Sequence, residues 1–203
     1  MKHLFLGLLT TLSVIIYSCG DNASTAKKEE TSHADHAEAE ENTEVKVVKA
    51  SFSNVDAAVA AHTKKITDNY LQIKNALTSG NANEAGSAAK NMFEALKGFD
   101  KSLLSADQKK VYDQQEAGLK ENAEHISKST GDIEHQREHF SSISEGMYAL
   151  VKAFGGGKTL YHDHCPMAND NKGAMWLSET KEIKNPYFGD KMMTCGSVEE
   201  ELQ

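Results

Sequence analysis

Residues Ile133 to Gly157 read "IEHQREHFSSISEGMYALVKAFGGG", and their spacing decides the fold class. Ile133, Gln136, Phe140, Ile143, Met147, Leu150 and Phe154 recur at steps of three and four, which is one stripe along a 3.6-residue helix. Three glycines then end it.

The same period appears upstream three times. Val55, Val59, His62, Ile66, Tyr70, Ile73 and Leu77 form one stripe, ended by Ser79-Gly80. Asn81 and Glu84 offer a capping box for the next, which carries Ala85, Ala89, Met92, Leu96, Phe99 and Leu103. Ser105 and Gln108 offer another, followed by Val111, Tyr112, Leu119, Ala123 and Ile126, a sparser stripe with Gly118 inside it. Four helices of this length on short loops predict antiparallel neighbours. The expected fold class is therefore all-α: a four-helix up-down-up-down bundle over residues 51–155, with an irregular Cys/Met-bearing tail over 156–203 packed on it.

Composition agrees with that reading. Lys, Glu and Ala are plentiful and proline occurs twice, which suits helices because straight-chain residues lose little rotamer freedom there. The formal charge of −8 argues against a nucleic-acid partner, which calls for clustered positive charge. No nucleophile elbow, phosphate loop or metalloprotease helix motif is present, and no enzyme activity is expected.

The N-terminus points outside the cytoplasm. "MKHLFLGLLTTLSVIIYSCG" has a basic start, an apolar run and a small-residue end, the order of a secretory signal peptide. Cys19, flanked by Ser18 and Gly20, resembles the lipidated cysteine of a bacterial lipoprotein signal spanning residues 1–19. That implies an extracytoplasmic protein anchored to a bacterial membrane by lipid. Residues 20–50 are polar and acidic without apolar periodicity, so a disordered tether is expected.

The tail concentrates the rare residue types. It holds Cys165, Met167, Met192 and Cys195, with His162 and His164 just ahead of Cys165. Thiolates and thioethers are soft donors that select Cu(I), whereas zinc uses cysteine and histidine but gains nothing from methionine. On helix four, His135 and His139 are spaced i, i+4 and can share an ion; His139 lies at the edge of the core stripe, where it can face a folded tail. Outside the cytoplasm the two tail cysteines read equally well as a disulfide, worth about 3–4 kcal/mol in the chain-entropy account. Spacing leaves metal and disulfide both open.

"QREHFSSISEGMYALVKAFG", "CPMANDNKGAMWL" and "EIKNPYFGDKMMTCG" carry a resemblance. They are similar to an uncharacterised domain family of secreted bacterial proteins, found in small lipoproteins and at the C-terminus of CusB-like adaptor subunits of heavy-metal efflux pumps. The matching positions are His139, Cys165, Met167, Asn171, Gly173, Trp176, Asn185, Pro186, Gly189, Met192 and Cys195. The resemblance implies metal binding. Joined to the donor chemistry, it gives the expected function: copper, as Cu(I), held by His139, Cys165, Met167, Met192 and Cys195, with His162, His164 and His135 as secondary ligands and zinc as the alternative ion. The ion would be sequestered or handed to heavy-metal efflux components. The competing expectation is a non-catalytic interaction module stapled by Cys165 and Cys195.

Overall fold

The computed structural model describes residues 45–203. The signal segment, Cys19 and most of the expected tether lie outside the described residues.

Four long helices follow the sequence stripes: α1 Ala57–Thr78, α2 Ala82–Lys97, α3 Ala106–Lys128 and α4 Ile133–Phe154. Each begins on a side-chain cap. Asp56 accepts from the Ala58 amide, Asn81 from Glu84 and Asp132 from His135, and Ser105 with Gln108 forms a complete capping box. These caps satisfy amides that have no partner inside the helix. Gly155, at φ 81°, ends α4 in a left-handed conformation suited to glycine.

The stripes meet in one core. Ile66, Tyr70, Ile73, Leu77, Met92, Leu96, Leu119, Ile126, Phe140, Ile143 and Met147 are all buried. Consecutive helices pack side by side and α1 closes onto α4. Between α3 and α4 the approach is close at Gly146, where an added Cβ would lie 2.9 Å from the Leu119 side chain. None of the described helices is long and apolar enough to cross a membrane.

The tail corrects the all-α expectation. It is not irregular: β2 Leu160–Cys165, β3 Ala174–Ser178 and β4 Ser197–Leu202 join β1 Lys46–Val48 in a four-stranded sheet of order β1-β4-β2-β3. β2 is antiparallel to both neighbours, and β1 runs parallel to β4. Strands this short carry little periodic signal, and "SVEEEL" in β4 has three successive carboxylates where strand propensity is low. Tertiary pairing holds it. Lys46 stands opposite Glu200 in register and meets it at 2.7 Å. Burial alone would raise the Glu200 carboxyl, but bonds from Lys46 and Tyr148 outweigh it and bring it to about 2. The tether expected over 20–50 therefore gives way by Lys46 to ordered chain.

The sheet is locked to the helices by a few buried polar contacts. The Tyr70 hydroxyl of α1 accepts from the Leu177 amide of β3 at 2.8 Å and meets Ser144 of α4 at 2.9 Å. Arg137 of α4 donates from Nε to the Pro186 carbonyl and from Nη2 to the Leu77 carbonyl. Trp176 is wholly buried.

Candidate metal centre

α3 and α4 form a helical hairpin, so residues at matching distances from its turn face each other. His125 on α3 thereby meets His135 and His139 on α4, the last two one helical turn apart. The His125 and His139 rings stack with centroids 4.4 Å apart, and the His135 and His139 rings are perpendicular at 4.6 Å. One nitrogen from each of the three lies within 4.8 Å of the other two.

The neighbours determine which nitrogens are free. His139 Nδ1 lies 2.8 Å from Asn122 Oδ1. The amide orientation is secured by its other end, since Asn122 Nδ2 donates to the Gly118 carbonyl. His139 Nδ1 therefore carries the proton and donates, leaving Nε2 as a lone pair. His135 Nδ1 lies 3.1 Å from the Glu138 carboxylate, which assigns it the same tautomer. The two Nε2 atoms then face each other at 3.2 Å.

That separation fits a shared ion. Two nitrogens each about 2.0–2.1 Å from one tetrahedral metal stand about 3.3–3.4 Å apart. An acceptor on the second ring nitrogen is also what holds metal-binding histidines in place. Burial, followed by the positive charge of His125 and then His135, holds His139 below its ordinary pKa, which keeps its lone pair available near neutrality. His125, Asn122 and Glu138 are not among the ligands expected from the sequence. The missed signal was the register of the hairpin.

The other expected ligands lie elsewhere. Cys165 and Cys195 are joined in a disulfide, with Cα atoms 5.7 Å apart, so in this state neither offers a thiolate. His139 faces α3, where its ring contacts are Asn122 and His125, and it meets His135 one turn away on α4. Met167 and Met192 line a cavity of about 460 Å³ against α4, together with Glu134, Arg137 and Glu138. His162 and His164 lie along β2, each with Nδ1 near one oxygen of Glu199, at 3.6 and 3.5 Å. Burial lowers the His162 pKa.

Several resemblance positions have evident structural tasks. Asn185 donates to the Cys195 carbonyl, while its Oδ1 accepts from the Tyr187 and Phe188 amides. A Cβ at Gly173 would lie 2.5 Å from His164 Nε2, and one at Gly189 would lie 2.9 Å from Arg137 Nη2. His62, in the stripe of α1, is a packed core-edge histidine: it stacks on Phe99 at 3.8 Å, bonds the Tyr112 hydroxyl, and is lowered to about 4 by burial and then by Lys65.

No curated protein and no solved structure matches the chain. A family described as "Protein of unknown function (DUF3347)" matches residues 66–159, from within α1 to the residue before β2. The matched segment includes Asn122, His125, His135, Glu138 and His139 and excludes the disulfide-bearing tail. The likeness to that family is thus confined to residues 66–159, and the three-histidine cluster lies inside the matched segment.

Proposed function

We propose that this protein binds a transition-metal ion, copper or zinc, through His125, His135 and His139, and that it does so outside the cytoplasm. The observation that carries the reading is the approach of the His135 and His139 Nε2 atoms to 3.2 Å, with an acceptor beside the far nitrogen of each ring. Three imidazoles suit copper and zinc alike and leave a fourth position open. An open position permits ligand exchange, which sequestration followed by hand-over to a heavy-metal export system requires. The signal-like N-terminus, Cys19 and the likeness to efflux adaptor tails support this setting and a lipid-anchored location.

Titration of the purified protein with Co²⁺ tests the reading, with Zn²⁺ and Cu(I) in competition against chelators. One equivalent, an absorption spectrum of a tetrahedral cobalt site, and loss of both in His139→Ala are the expected results. Absence of stoichiometric binding by all three ions would overturn it.

A second reading is favoured by the disulfide: a non-catalytic interaction module whose tail is clasped onto the helices. It predicts no retained metal and a surface that stays unaltered when the three histidines are replaced.

A further inference from the structure

The tail contains a feature that the three-histidine centre leaves unexplained. Met167 is 47% exposed, although methionine gains by burial and Ala168 beside it is fully buried. Met192, half-buried, comes from a different loop. Both side chains line the same cavity of about 460 Å³.

The disulfide accounts for their lining one cavity. Cys165 ends β2, two residues before Met167, and Cys195 closes a turn on Met192 through its amide at 3.1 Å. Joining the two cysteines therefore ties together the two methionine-bearing loops, within one turn of each thioether. Beyond Met167 the chain folds back through Asn169, Asp170 and Asn171, all at positive φ of 52°, 55° and 62°. Successive non-glycine residues there are unfavourable, and all three lie on the cavity rim.

Charge around the cavity favours a cation. Glu134, Glu138 and Asp170 line it with the guanidinium of Arg137, and Lys191 meets Glu134 from outside at 3.4 Å, which leaves Glu138 and Asp170 as the carboxylates without a lysine or arginine partner among the described residues. Arg137 is committed to the walls through Pro186, Leu77 and Glu134. Thioethers are soft and uncharged, so they retain Cu(I) and similar ions while holding zinc or calcium poorly.

We propose that this cavity is a binding site for a soft monovalent cation, Cu(I), through the sulfurs of Met167 and Met192. The site is separate from the three histidines and does not rest on their binding a metal. Glu138 belongs to both places: it lines the cavity and bonds His135 Nδ1, so a filled cavity adjoins the back of the histidine centre.

The test uses the full chain labelled with ¹³C-methyl methionine, its disulfide intact and its remaining thiol alkylated. Cu(I) is added anaerobically from a chelator buffer. The methyl signals of Met167 and Met192 are expected to shift together and saturate at one equivalent, while the other methionines stay in place. Met167→Leu/Met192→Leu should weaken one Cu(I) equivalent at least tenfold and leave Zn²⁺ binding unchanged, with the near-ultraviolet signal of Trp176 showing that the fold persists. Unmoved methyl signals, or full Cu(I) affinity in the double variant, would overturn the proposal. Zn²⁺ reports on the histidines alone, so failure of that centre is seen independently.

Discussion

His135 Nε2 and His139 Nε2 stand 3.2 Å apart while Glu138 and Asn122 occupy the far nitrogens of the two rings. Two lone pairs facing each other repel unless something positive lies between them. A proton on His139 meets that need by making an imidazolium, which burial of that ring and then His125 and His135 disfavour. A metal ion meets it without charging a ring.

The orienting residues should matter nearly as much as the ligands. His139→Ala is expected to lower Zn²⁺ affinity by at least about 100-fold, and Asn122→Ala by about 10-fold, as for other partners that hold a ligating ring. Competition against a chromophoric chelator measures both. Unchanged affinity in Asn122→Ala would show that the amide does not set the ring.

Reduction of the Cys165–Cys195 bond releases a loop with a sequence separation of 30 residues. The chain-entropy account assigns such a cross-link about 3–4 kcal/mol. Urea unfolding with and without reductant should show a loss of that order. A midpoint indifferent to reductant would mean that the sheet and the Arg137 contacts hold the tail unaided.

Asp163 is wholly buried on β2, and among the described residues neither its oxygens nor the indole nitrogen of its cross-strand partner Trp176 makes a hydrogen bond of good geometry, though the indole lies near enough to favour the charged carboxylate. Burial pushes its carboxyl up to about 8, with Lys74 and then Trp176 opposing. Between its ordinary value of 3.8 and about 8 the folded chain holds a proton that the unfolded chain has lost. Its contribution to stability therefore falls as pH rises through this window and is flat above it. Asp163→Asn should remove that slope, so the difference between the two stability curves should widen in the variant's favour from pH 4 to about 8. Parallel curves would assign the charge a different partner.

Gly189 sits at φ 54° where the tail meets α1 and α4, and a Cβ there would lie 2.9 Å from Arg137 Nη2 and 3.1 Å from the Thr78 carbonyl. Gly189→Ala combines backbone strain with displacement of the guanidinium. It is expected to cost about 1–3 kcal/mol in chemical denaturation. A neutral effect would mean that Arg137 is not a fixed anchor.

The four helices were legible because their apolar positions repeat over about four to six turns and their caps use side chains next to them in sequence. Asn81 and Ser105 act locally, so local reading finds them. The sheet was not legible for the opposite reason: Lys46 and Glu200 are partners across almost the whole described chain. His62 was legible as well, since its place in the α1 stripe predicts a packed histidine and it stacks on Phe99.

The candidate centre divides in the same way. His135 and His139 share a helix face by their spacing alone, and the tail's stock of cysteine and methionine was evident as composition. What those residues meet depended on long-range packing. The α3–α4 hairpin placed His125 and Asn122 beside His139, and sheet pairing brought Cys165 to Cys195 and the two methionines to one cavity. Helical period and capping are short-range properties of the chain, so sequence by itself determined the helices; ligand sets and cross-links require groups far apart in sequence to meet, and that only the tertiary structure decided.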